Sequence, residues 1–206
     1  MVSVLGRTPP VRSIAGVLVL ALLTGACAAL GIGGKEPVPA FSLRAPDAVS
    51  RAAAVRGQFV IPEPTAISVL DSERIAVRPS PGQVATLSGA QWSDRLPKLL
   101  QARLVETFEN SSRLRSVGRP ADGINANYQL LVDVRAFQLS VVPEAVGEVE
   151  ISAKIVAGSS GRIIAGRIFR ASTPAAATDG ADAVAAIEAS FQDVAVQLVR
   201  WVGRVI

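Results

Sequence analysis

The strictest constraint on this chain is an eight-residue alternation at 148–155, within a segment running to Ala157. Val149, Ile151, Ala153 and Ile155 point one way, while Glu148, Glu150, Ser152 and Lys154 point the other. Side chains alternate across a strand with a period of two, so this segment is a strand with one face covered and one in water. The Gly158-Ser159-Ser160-Gly161 run that follows is a hairpin turn, and 162–171 returns antiparallel to it. Upstream, 128–139 is a further strand. Tyr128, Leu130, Val132 and Val134 lie on one face, and Gln129, Leu131, Asp133, Arg135 and Phe137 on the other. Two shorter strands precede it at 58–61 and 74–78, the second ended by Pro79 and Pro81. A loop with Gly82 and Gly89 comes next.

Two segments change to a helical period. In 93–110, Trp92, Leu96, Leu99, Leu100, Leu104 and Phe108 recur at the spacing of one helix face, with Ser93 and Asp94 at its start. In 180–203 the apolar stripe is Val184, Ile187, Phe191, Val194, Leu198, Trp201 and Val202, with Asp182, Glu188, Gln192, Asp193 and Arg200 toward solvent. Aromatic residues make up only 4% of the chain, so the core is built mainly from aliphatic side chains. The expected fold is α+β: a mostly antiparallel sheet of about five strands, with two amphipathic helices packed on one face. No internal repeat is visible.

The N-terminus is of another kind. Arg7 and Arg12 precede a ten-residue apolar run at 14–23, then Thr24, Gly25, Ala26 and Cys27. A positive start, a short apolar stretch and small residues before a cut form a secretory signal peptide, and the run is too short for an ordinary membrane span. Leu23-Thr24-Gly25-Ala26-Cys27 resembles a bacterial lipobox. That motif implies cleavage before Cys27, diacylglycerol on its thiol and acylation of the new amine, which together anchor a chain stably. Ala28, in place of Asp, implies sorting to the outer membrane, facing the periplasm. The expected organisation is a signal peptide at 1–26, a lipidated Cys27 with a Gly/Pro-rich tether at 27–56, and a folded domain at 57–206.

Composition narrows the chemistry. The chain has no histidine and a single cysteine, which removes internal disulfides, His-dependent triads and most metal sites. Without Arg7 and Arg12 the mature chain has 19 basic against 17 acidic residues, which is not the charge of a nucleic-acid binder. Neither Ser111-Ser112 nor Ser159-Ser160 has a basic partner of the right kind for a nucleophile. No catalytic residue, metal or cofactor is expected, and the function is expected to be non-enzymatic.

Arg74-Ile75-Ala76-Val77-Arg78-Pro79, followed by Gln91-Trp92-Ser93-Asp94-Arg95-Leu96-Pro97-Lys98-Leu99-Leu100-Gln101, resembles the ABC-type transport auxiliary lipoprotein family, the PqiC/YmbA-like lipoproteins. The order of lipobox, tether, strand, Trp-Ser-Asp helix, three strands and terminal helix is similar throughout 57–205. The resemblance implies an accessory component of a transporter made of a permease, an ATPase and a mammalian-cell-entry (MCE) domain protein, moving lipids or other hydrophobic molecules. The partners it implies are the membrane, through the lipid anchor, and the MCE protein, with a homo-oligomer matching MCE rings. The chain has no Walker A motif and so is not itself the ATPase. An alternative is a structural or assembly lipoprotein that binds envelope proteins without a part in transport.

The candidate partner-binding residues are Trp92, Asp94, Arg95, Leu131 and Phe137. Trp92 and Trp201 are hot-spot types, yet both lie on or beside apolar helical stripes, where core packing is the simpler reading. Asp94 suits the first turn of a helix and Arg95 a solvated position. Leu131 and Phe137, sharing a strand face with Asp133 and Arg135, would offer a mixed surface to a second protomer or the MCE protein if that face is open. Arg78 is a candidate to pair with Asp133.

Overall fold

The structure is a computed structural model that describes residues 37–47, 57–111 and 117–206. The signal peptide, Cys27 and most of the expected tether lie outside the described residues. Val38–Ile206 forms one compact unit.

The order of elements is β1 (Ala40–Phe41), β2 (Phe59–Val60), β3 (Thr65–Ala66), β4 (Arg74–Arg78), β5 (Ala85–Trp92), α1 (Leu96–Asn110), β6 (Val117–Gly118), β7 (Tyr128–Ser140), β8 (Val146–Ala157), β9 (Ile163–Pro174) and α2 (Gly180–Val205). The described strands join one nine-stranded sheet. The hairpin β8–β9 and the antiparallel pairing of β7 with β8 follow the alternation in the sequence.

The other edge of β7 corrects the expectation of a five-stranded, mostly antiparallel sheet. Three short strands run parallel to β7 in succession along it. Phe59 is opposite Tyr128, Thr65 opposite Asp133 and Ala76 opposite Gln138. Pro62 and Pro64 lack the N–H a continuous ladder needs, so one long contact is broken into pieces. Ala85–Trp92, expected as loop, is a strand that pairs antiparallel with β4 and parallel with β1. Its small, mostly exposed residues carry no alternation, and Gly89 turns at φ +72° inside it.

The folded unit also starts earlier than residue 57. β1 pairs with β5, Leu43 is buried, and the Asn110 amide donates to the Pro46 carbonyl at 3.1 Å. Residues 38–47 therefore strap the core rather than belonging to a tether. Phe41 and Leu43 are the only large apolar residues between Pro39 and Pro46, too short a pattern to signal an element.

One core takes both helices. The stripes Leu96, Leu99, Leu100, Leu104, Phe108 and Val184, Ile187, Phe191, Val194, Leu198, Trp201, Val202 are all buried in it. Helix α1 starts at Leu96 rather than Ser93, with Pro97 in its first turn where its missing N–H costs nothing. Helix α2 is capped by Asp179, whose carboxylate accepts from the Asp182 N–H at 3.3 Å. At Gly147 the strand passes so close to α2 that a Cβ there would lie 2.3 Å from the Ala186 carbonyl carbon. The Ser190 hydroxyl donates to the Gly147 carbonyl at 2.7 Å, joining helix to strand at the same point.

Candidate functional site

With both helices on one side of β7–β8–β9, the other side of these strands remains open. Its surface is set by register: Leu131, Lys154 and Gly166 form one row, and Asp133, Ser152 and Ile168 the next. Leu131 is 41% exposed and Ile168 42% exposed, and Ile163 and Ile164 are exposed farther along β9. Strand β9 pairs only with β8 among the described residues, so this apolar end lies at a sheet edge. Beside it is a groove of about 370 Å³, lined by Pro62, Thr65, Leu131, Asp133, Ser152 and Lys154. The Thr65 hydroxyl donates to Asp133 at 3.0 Å and holds that carboxylate at the groove wall.

The next rows of the face carry a ladder of ion pairs. Glu150 is gripped by Arg170 at 2.7 Å and met from the other side by Arg135 at 3.5 Å. The hydrogen bond from Arg170 is the main reason its carboxyl is held below the usual carboxylate range; burial opposes it, and the charge of Arg170 and then Arg135 add to the lowering. Arg170 is raised by the same bond. One step along, Arg78 pairs with Glu148 at 2.8 Å and donates to the Ser140 hydroxyl at 3.0 Å. The candidate Arg78–Asp133 pair is thus replaced, because parallel β4 meets β7 at Gln138–Ser140, with Arg78 opposite Ser140 and well along β7 from Asp133.

Leu131 is where the alternation placed it. Phe137 is not: it is fully buried, its ring 5.7 Å from Trp92 and 6.1 Å from Phe191. The cause is a register shift between Val134 and Ala136 that makes Arg135 an extra residue on β7. One inserted residue exchanges the two faces of every later position. Trp92 is 1% exposed and packs edge-on against Phe137, so it serves the core. Its indole N–H has no partner among the described residues.

Asp94 and Arg95 stay at the surface. Asp94 pairs with Lys98 at 2.6 Å and accepts from the Arg95 N–H at 2.8 Å; the Lys98 bond chiefly lowers its carboxyl. Arg95 bridges Asp71 and Glu63, and its guanidinium is raised chiefly by the bond to Asp71. Glu63 also borders the groove, so Arg95 braces the groove rim from behind. Sequence reasoning placed Lys154 on the outward face of its strand but missed Ile168 as part of this surface. The signal was present in β9, whose Ile168 and Phe169 are adjacent apolar residues on opposite faces.

The face offers apolar contact framed by fixed charges, a pattern suited to binding. Among the described residues no group of three or more His, Cys, Asp or Glu side chains is arranged to hold a metal ion, and no helix is long and apolar enough to cross a membrane.

Comparisons with known proteins agree with this architecture. The crystal structure of XCC0632 from Xanthomonas campestris, assigned to the family model DUF330, matches with a TM-score of 0.74 at 28% identity, over 80% of this chain and 95% of that one. A second crystal structure, of an uncharacterized protein, shares the fold at a TM-score of 0.59 and 14% identity, over 81% of this chain and 96% of that one. In sequence, the uncharacterized protein bll6063 of Bradyrhizobium diazoefficiens is 35% identical over 172 residues, 82% of this chain. The chain spans 46% of that relative's length. The family model for the ABC-type transport auxiliary lipoprotein component matches residues 41–199, from β1 into the last turns of α2. The chain belongs to the ABC-type transport auxiliary lipoprotein family.

Proposed function

We propose that this protein is a non-enzymatic accessory component of an MCE-type ABC transporter for lipids or other hydrophobic molecules. It is held at the outer membrane through lipidated Cys27 and faces the periplasm. Its open sheet face, centred on Leu131 and Ile168, is the docking surface for the MCE protein. Family membership supports the transport role, and the Leu23–Cys27 motif supports the anchor. The observation that carries the docking surface is the exposure of Leu131 and Ile168 beside the Glu150–Arg170 ladder, since an apolar centre with a charged border is the anatomy of a protein interface. Anchoring confines the domain to a thin layer and raises its effective concentration for a partner that reaches the same membrane.

The test is affinity purification of the tagged full-length chain from detergent-solubilised membranes, followed by identification of what it carries. Co-purification of an MCE protein with its permease and ATPase is the expected outcome. Recovery of the folded, lipidated chain without an MCE protein, with or without crosslinking, would sink the proposal.

A further inference from the structure

The edges of the sheet are built unequally. Strands β1 and β6, at the two ends of the main strand order, have two residues each, too few to template another chain. Strand β9 has 12 residues and pairs only with β8 among the described residues. Its far edge therefore presents a row of backbone N–H and C=O groups, and Phe169 is its only buried residue. Its one irregularity, the register shift that leaves Ile164 as an extra residue, lies at its start; from Ala165 to Pro174 the pairing with β8 is unbroken. Charged side chains do not guard this edge. Arg170 is drawn back over the open face to Glu150 at 2.7 Å, and the Arg167 guanidinium lies over the Phe169 ring, 5.3 Å from its centroid.

The charge along this edge selects the occupant. From Ile155 to Thr178 the chain has Arg162, Arg167 and Arg170 and no acidic residue. Lys154 on β8 is opposite Gly166, and its Cγ lies 3.6 Å from where a Cβ of that glycine would be, so no side chain separates it from the edge. Lys154, Arg162 and Arg167 have no ion pair among the described residues. The acids of the open face do not offset them. Glu150 is held by Arg170 and Arg135, Glu148 by Arg78, and Asp133 lies two strands away on β7 beside Thr65 and Arg135. A second copy of this chain is a poor occupant, because β9 against β9 brings only cationic charges together. Resting on the open face as the docking surface of the proposed function, we infer that the free edge of β9 takes an extended acidic segment of the partner protein as a further strand of the sheet. In such strand addition the backbone hydrogen bonds give affinity and alternate side chains give specificity. On the open face the segment's apolar residues continue the row of Ile168. On the other face its carboxylates meet Arg167, which lies on the helix side because it is opposite the buried Ala153.

The experiment uses the full-length chain in detergent micelles. The probe is a capped peptide of about ten residues that alternates valine and glutamate, long enough for one strand. One control carries lysine in place of glutamate. The other is the glutamate peptide methylated on two adjacent central backbone nitrogens, which blocks both of its edges. Binding is read by fluorescence anisotropy and located by amide hydrogen exchange. The expected result is binding of the glutamate peptide with slowed exchange along β9. Both control peptides should bind at least about tenfold more weakly, and so should the glutamate peptide to R162Q/R167Q, checked by thermal melting. The control peptides use the parent chain, so they decide the matter even if that variant fails to fold. No binding, equal binding of the lysine or methylated peptide, or protection confined to another part of the chain overturns the inference. So does a chain that sediments as a dimer with its β9 amides already protected, because a second copy then fills the edge. Co-purification of the MCE protein without peptide binding would leave the proposed function standing and place its docking on side chains of the open face alone. Peptide binding without co-purification would keep the strand addition and remove the MCE protein as its partner.

Discussion

Glu188 shows how much one side chain can change a reading. On the helical projection it falls among the solvent residues of α2, yet it is 8% exposed and fully engaged. Its carboxylate accepts from the Arg44 backbone N–H at 2.9 Å, from Nε at 2.8 Å and from Nη2 at 3.2 Å. The strap covers that side of the helix, so a position that would face water faces Arg44 instead. Glu188→Ala should therefore destabilise by about 1–2 kcal/mol, not by the few tenths expected of a surface change, because it leaves the Arg44 N–H without its acceptor. The ion pair itself adds little, because the Arg44 side chain is 81% exposed and water screens that half of the pair. Urea denaturation of the unlipidated domain measures it, and an unchanged midpoint would show that the strap adds nothing.

Glu150 makes a second residue-scale prediction, about pH. Its folded carboxyl is depressed below the ordinary value of about 4.3, chiefly by Arg170. A depressed carboxylate contributes stability above its unfolded value and loses it as pH falls through the folded value. Glu150→Gln should thus be less stable than the parent at neutral pH, and the gap should close below about pH 4. A gap that is constant from neutral to acid pH would remove the ion pair as its cause.

At the scale of elements, legibility followed periodicity. The hairpin β8–β9 was readable because Val149, Ile151, Ala153 and Ile155 alternate without a fault and Gly158–Gly161 marks the turn. Both helices were readable from their stripes. Strands β1, β3 and β6 have two residues each, too few to show any period, and exist because longer strands offer them an edge. The face of Phe137 was unreadable for a different reason: a bulge is a property of two strands, and only the partner β8 reveals that Arg135 is the extra residue. Of the candidate partner-binding residues, the structure leaves Leu131 on the open face, puts Trp92 and Phe137 in the core, and holds Asp94 and Arg95 in surface ion pairs.

The contact between β8 and α2 is tested at Gly147. A methyl group there would meet the backbone of Ala186 and Ile187, which cannot rotate away as a side chain can. Gly147→Ala should cost about 1–3 kcal/mol by forcing helix and sheet apart. For comparison, Gly166→Ala on the open face meets only the Lys154 side chain at 3.6 Å and the Ala153 carbonyl oxygen at 3.7 Å, which is ordinary contact, and should be nearly neutral. Similar melting points for the two variants would contradict the close approach of α2 to β8.

For the molecule as a whole, the sheet divides the labour. One side carries α2 and the buried stripe; the other side of β7–β8–β9 is uncovered among the described residues, with Glu150–Arg170 in the row next to Ile168. This open face is the surface through which, in the proposed function, the protein acts on its MCE partner. The most direct test is a binding titration of the purified MCE protein against the parent, L131D and I168D, each checked by thermal melting. Both variants should melt close to the parent and bind at least about tenfold more weakly, because a charge is placed in an apolar contact centre. Undiminished binding by folded L131D and I168D would contradict it and move the interface to another surface.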